Sequence, residues 1–273
     1  MEQRALANVE KLACKKRDLF RASPLRYVLR SMLASMFIGF GVIVAFKTGS
    51  FFYLEQSPLA YPVAALAFGA AIILIVYGGG DLFTGDTFYY TLGALRRRLR
   101  WSEAGRMWAV SYAGNVLGAG VFALLIWTTG LFDESSVNAF LLSVVEKKMN
   151  AAPTELFFRA ILCNWLVCLA FFLPMSMRGD GAKMFAMMLF VFCFFISGYE
   201  HSVANMCTFA IALVLDHPDT ITWGGVADNL IPVTIGNWIG GAVFMGWMYH
   251  FANKLPEAKE AAGDPGRKAA RER

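Results

Sequence analysis

The chain is 273 residues long, 57% apolar and only 16% charged, with a mean hydropathy of +0.50 and a formal net charge of +5. Soluble domains carry about a quarter charged residues, so this composition argues against an ordinary soluble domain and for a chain solvated by lipid. The excess of cations reads as topology and contact with anionic lipid rather than nucleic-acid binding, because no segment is large enough for a folded basic domain.

Residues 1–27 are charged and amphipathic. They lack the short apolar core and small-residue cleavage site of a signal peptide, and they predict a helix lying at the inner membrane surface. Six apolar segments follow, at about 28–46, 62–95, 107–127, 156–176, 184–214 and 230–250. About 20 helical residues cross a bilayer's hydrocarbon core, so the second and fifth segments are too long for a simple crossing. Each carries a Gly-rich polar interruption, GGGDLFTGDT and SGYEHSVAN. Each therefore reads as two half-helices joined by irregular backbone, which survives at membrane depth only where protein or a water-filled cavity satisfies its N–H and C=O groups. The expected organisation is an amphipathic helix over 1–27, a six-span transmembrane domain over 28–252 and a polar tail over 253–273.

Basic residues set the orientation. Arg4, Lys11, Lys15, Lys16, Arg17, Arg21 and Arg26 precede the first span, and Arg96, Arg97, Arg98, Arg100 and Arg106 follow the second. Arg178 and Lys183 lie in the short loop before the fifth span, and six more cations run from Lys254 to Arg273. The alternate loops hold few, chiefly Lys47, Lys147 and Lys148. The positive-inside rule then places both termini in the cytoplasm, in a multi-pass protein of the cell's inner membrane.

The third and sixth spans repeat each other: YAGNVLGAGVFAL at 112–124 matches TIGNWIGGAVFMG at 234–246. Three spans followed by three similar ones must be inverted relative to each other, since an odd number reverses the chain. This is the 3+3 inverted repeat of all-α transport proteins, with a site between discontinuous helices. Gly114, Gly118, Gly236 and Gly240 read as close-packing positions.

The five cysteines form no CxxC pair, which suggests neither a disulfide framework nor a zinc site, and no cofactor is expected. His217 and His250 fall near span ends; His201 alone falls at mid-membrane. A membrane enzyme or electron carrier would need clustered ligands, which one histidine does not supply. Ionisable residues inside spans are functional by default.

DLFTGDT, AILCNWLVCLA, SGYEHSVANM and IPVTIGNWIGG, in this order, resemble the formate/nitrite transporter family, over roughly residues 20–252 and closest to its nitrite channel branch. The resemblance implies an aquaporin-like six-helix protomer, a homopentamer, and a pore in each protomer for small monovalent anions. Nitrite is the first expectation, with formate or hydrosulfide as the alternative in the same family. A neutral-solute channel of the aquaporin kind is the alternative of another class, though its two Asn-Pro-Ala repeats have no counterpart beyond Ala204-Asn205-Met206.

Stripping water from such an anion is costly unless fixed partners replace it. Half-helix N-termini offer N–H groups and a positive dipole end, and an imidazole can donate a hydrogen bond or a proton. By resemblance, His201 is the central pore histidine, Thr84 the threonine that hydrogen-bonds it, Leu82 and Phe194 the constriction, and Lys148 the lysine at the outer mouth, with Lys147 beside it. Asn205 lies one turn beyond His201. Glu200 and Asp81 occupy equivalent points in the two interruptions and are expected to hold the loops by accepting backbone N–H bonds. Asp81 stands where the family usually has Glu, and Asp86 is an additional acid.

Overall fold

The computed structural model describes residues 2–253, so the expected polar tail lies outside the described residues apart from Asn253. Every regular element among the described residues is a helix. An N-terminal helix, α1 (Glu2–Ala22), is followed at once by α2 (Pro24–Leu54), with Ser23 capping the new helix and Pro24 at its first position. The boundary thus falls a few residues before the expected start of the first span. α1 is more than a surface float. Ala5, Leu6, Val9 and Ala13 share one buried face against α5 (Phe83–Leu95) and α2, and Lys16 on the same face is buried too.

The second apolar segment is α3 (Ala60–Phe68) and α4 (Ala70–Gly78), then an extended stretch, then α5. Gly79, at φ +77, ends α4 in the left-handed conformation that glycine adopts without steric cost. Leu82 is extended, and α5 restarts at Phe83. The fifth segment behaves alike: α9 (Asp180–Ile196) ends before Gly198 at φ +70, and α10 (Ser202–Val214) starts after an extended His201. The uninterrupted elements are α6 (Trp101–Thr128), α8 (Pro153–Phe172, extended by a 3₁₀ turn at Leu173–Ser176) and α11 (Trp223–Ile239). α11 runs on through a π-helical stretch at Gly240–Trp247 into α12 (Met248–Ala252). Among the described residues, five helical stretches are long and apolar enough to cross a membrane: 24–54, 60–78, 101–128, 153–176 and 223–252.

One element had no counterpart in the sequence reading. The loop before the fourth span holds α7 (Ser135–Met149), which buries Phe140, Leu141, Val144, Val145 and Met149 against α2 and α10. Its apolar stripe is interleaved with Glu146, Lys147 and Lys148, which dilutes its hydropathy below that of a span.

α2 packs on α6, and α8 packs on α11. The interrupted helices then cross between these pairs, α10 lying on α6 and α5 on the π-helical stretch. The close approaches are made at the repeated glycines. A methyl group at Gly118 would overlap the Met32 carbonyl, and one at Gly240 would overlap the Ile161 carbonyl.

Candidate functional site

Both interruptions are held by the asparagines of the repeated Gly-Asn pairs. The Asn115 side chain accepts the Phe83 N–H (3.0 Å) and donates to the Ser31 and Asp81 carbonyls (2.6 and 3.2 Å). Asn237 accepts the Ser202 N–H (2.7 Å) and donates to the Ala160 and Glu200 carbonyls (both 2.8 Å). Sequence reasoning credited only the glycines of these pairs. The shared asparagine was the signal, since it can satisfy an N–H and carbonyls together at a helix break. Asn237→Ala orphans two buried backbone groups, the Ser202 N–H and the Glu200 carbonyl, each worth about 1–3 kcal/mol. A clear drop in the melting temperature of the purified protein is expected, and an unchanged melt would show that water replaces the side chain.

The two restarted helices meet. Thr84, in the first turn of α5, and His201, the N-cap of α10, are both buried and lie 2.9 Å apart between Oγ1 and Nε2. His201 caps its own helix, Nδ1 accepting the Ala204 N–H at 3.0 Å. A ring nitrogen that accepts carries no hydrogen, so in the neutral ring the hydrogen sits on Nε2 and is donated to Thr84 Oγ1. The Thr84 hydroxyl is left with its own hydrogen to give away. Phe194 stacks on the His201 ring, with centroids 5.9 Å apart and planes at 21°, and meets Phe68 edge-on at 6.1 Å.

Three cavities adjoin one another past this pair, the first and second sharing Leu82 and Phe171, the second and third Phe194 and His201. The first, about 500 Å³, is lined by Lys16, Arg30, Asp81, Leu82, Tyr89 and Phe171. The second, about 20 Å³, lies between Leu82 and Phe171 on one side and Phe194 and His201 on the other. The third, about 30 Å³, reaches from Phe194 and His201 to Tyr199, Asn205 and Lys148. A cavity of 10–15 Å³ by this measure holds about one water, so the middle chamber is nearly shut and apolar apart from the imidazole edge.

At each end of the passage a lysine is locked by acidic side chains. Lys148, at the end of α7, pairs with Glu200 at 2.8 Å. Asn205 donates to Glu200 (2.7 Å) and to the Asn229 side chain (2.8 Å), and Asn229 donates to the Lys148 carbonyl (2.9 Å). At the other end Lys16 reaches Asp81 (2.9 Å) and Asp86 (2.5 Å), while Arg30 also holds Asp81 (2.7 Å). Asp86 further accepts from Ser111 (2.9 Å) and Tyr27 (3.2 Å). Burial works against charge on Lys16, but the two carboxylates hold its ammonium above the usual lysine range. The expectation that Glu200 and Asp81 accept backbone N–H bonds is corrected here. Their side chains are taken by cations and an amide, because Asn237 and Asn115 already serve the loop backbones. Lys16 was read only as one of the orienting cations, and Arg30 and Asn229 were not singled out, because nothing local in the sequence distinguishes them from other surface or span residues. Among the described residues no cluster of His, Cys, Asp and Glu could hold a metal ion.

A buried passage between two interrupted helices, inside a bundle of helices long enough to cross a bilayer, defines a membrane transport protein. The chain belongs to the formate/nitrite transporter family, whose model matches residues 3–251. It is 61% identical over 253 residues to the uncharacterized transporter YwcJ of Bacillus subtilis (strain 168), covering 93% of this chain and 99% of that one. It is 38% identical over 240 residues to the nitrite transporter NirC of Salmonella typhimurium, covering 86% of each. Among solved structures it is similar to a pentameric formate channel with formate bound, with a TM-score of 0.71 and 26% identity, covering 84% of this chain and 96% of that chain. The family transports; it is not one of enzymes.

Proposed function

We propose that the protein passes small monovalent anions, nitrite first, through the adjoining cavities between Leu82 and Lys148. The observation that carries this reading is the meeting of two half-helix N-termini at the buried Thr84–His201 pair. Helix N-termini attract anions through unpaired N–H groups and the macrodipole, and the Thr84 hydroxyl adds a donor at the point where water is stripped. The similarity to a nitrite transporter supports nitrite, and the similarity to a formate-bound channel keeps formate as the alternative.

The architecture proposed is six spans in a 3+3 inverted repeat, the second being α3 to α5 and the fifth α9 to α10. Its support is the matched bonding of Asn115 and Asn237, and the contact of Tyr112 with Thr234 at 3.1 Å between hydroxyls. Those two residues are aligned in the repeated spans, and equivalent residues touch where a pseudo-two-fold axis passes between them. Both termini are placed in the cytoplasm by the basic residues. A homopentamer in the inner membrane is proposed from the pentameric relative. The exposed apolar side chains of α6, Leu117, Val121, Leu124 and Leu125, suit lipid or neighbouring copies.

Uptake into liposomes tests the reading: nitrite and formate enter, while glycerol is excluded. Entry of glycerol without either anion would overturn it. The middle chamber holds about one water, so a three-atom anion passes only when Leu82 or Phe194 swings aside. Phe194→Ala is therefore expected to raise lactate flux relative to formate several-fold, and an unchanged ratio would remove Phe194 from the filter.

A further inference from the structure

We propose that the groove between α1 and the opening turns of α2 binds the headgroup and first acyl carbons of an anionic phospholipid. The groove has a volume of about 440 Å³ and is lined by Leu12, Lys15 and Leu19 of α1 and Leu29, Arg26 and Arg30 of α2, with Lys16 behind them. The half-buried Leu12 and Leu19 make its floor, the exposed Leu29 one wall, and the exposed Lys15 and Arg26 a cationic rim. That combination fits an amphiphile: free phosphate would use the rim and leave the leucines in water, and a hydrocarbon would use the floor and leave the cations unmet.

The cations divide into two sets. Lys16 and Arg30 are committed to Asp81 and Asp86 beneath the groove. Lys15 and Arg26 are exposed, and among the described residues neither side chain makes a hydrogen bond or ion pair. The acids that might have met them are taken: Glu10 by Arg96 and Arg98, Asp18 by Arg17, and Glu103 by Arg21. Two unpaired cations beside an apolar floor are complementary to a phosphodiester with its chains attached.

The surroundings continue the path. Leu25 is 68% exposed and Leu29 49% exposed, one turn apart on the same face of α2, and Leu33, Phe40 and Val44 carry the exposed apolar face along the helix. An acyl chain leaving the groove therefore has a continuous apolar track, and the headgroup sits where basic residues gather at a membrane surface. Which anion the protein transports has no bearing on this site.

The test uses the full-length protein, extracted and incubated with phosphatidylglycerol or phosphatidylcholine, with retained lipid counted by native mass spectrometry. Phosphatidylglycerol is expected to be retained and phosphatidylcholine not. Lys15→Gln combined with Arg26→Gln should weaken retention by about thirtyfold, at about 1 kcal/mol for each cation. Leu29→Trp, which fills the groove and keeps the charges, should also weaken it. A third arm offers soluble glycerophosphoglycerol, which should not displace the lipid at equal concentration. Equal retention by wild type and both variants would overturn the proposal. So would displacement by the soluble headgroup, which would mean a plain phosphate site, or crosslinking of Lys15→Cys to a neighbouring copy, which would mean a protein covers the groove.

Discussion

His201→Asn is expected to lower nitrite flux by roughly tenfold to a hundredfold in a protein that still folds, Thr84→Val to do the same, and the double variant to be no worse than either. Asparagine is a good N-cap, so its carbonyl can take the Ala204 N–H that Nδ1 takes now, and α10 keeps its start. The shorter side chain does not also reach Thr84, so the threonine loses the donor that fixes its hydroxyl. Valine removes that hydroxyl outright. On the proposed route the two side chains act in series on one passing anion, so their effects should not add. The geometry also bears on protons. A doubly protonated ring would turn an N–H at Nδ1 toward the Ala204 N–H, two donors facing each other. We therefore expect His201 to act as a neutral donor, and the dependence of flux on pH between about 5 and 8 to survive in His201→Asn. Liposome flux with internal pH and current recorded together decides the matter. Loss of proton coupling with a persisting anion leak would make His201 a proton relay and overturn this expectation.

Much of this arrangement was legible because membranes restrict what a chain can do. Only helices and closed barrels satisfy the backbone across a bilayer, and barrel strands alternate in polarity rather than running apolar for about 20 residues, so apolar stretches and the glycines that end α4 and α9 can be read almost directly as helices and breaks. The Thr84–His201 pair was reachable only through the family resemblance, since nothing in the sequence relates residues 117 positions apart. Two kinds of feature stayed hidden. α7 is amphipathic rather than wholly apolar, so hydropathy passes over it, yet it delivers Lys148 to Glu200. Lys16 looks like one more cation of a surface helix, and only the tertiary fold turns it inward between Asp81 and Asp86.

These two lysine clusters also bear on what the proposed inverted repeat would preserve and what it would let vary. Asp86 stands five residues after Asp81, and Asn205 stands five after Glu200. Each second residue faces the lysine cluster of its own half. At the Lys148 end one carboxylate balances one ammonium. At the Lys16 end two carboxylates balance the ammonium and the Arg30 guanidinium. Formal charge is matched at both ends, by different residues, which is what burial at the mouths of a passage for anions demands.

Charge matching decides the second large effect. Lys148 was expected to concentrate anions at the outer mouth, and a free surface cation doing so would give Lys148→Ala a deficit that fades as salt shortens the Debye length from about 30 to 3 Å. In the structure the Lys148 side chain is only 19% exposed, and its ammonium lies 2.8 Å from Glu200, whose side chain is 4% exposed. Seen from bulk water the pair is nearly neutral. Its removal acts locally: Lys148→Ala strands a buried carboxylate beside Asn205, at a cost of about 3–5 kcal/mol, and sets a bare negative charge on the proposed route of the anion. Flux should fall by more than tenfold at every ionic strength, with a lower melting temperature. Lys148→Met together with Glu200→Gln removes both charges and should recover most of the stability, because Asn205 can still hydrogen-bond the amide. A single variant whose deficit disappears at high salt would show that Lys148 works as a free charge at the mouth, and that the pairing with Glu200 does not govern entry.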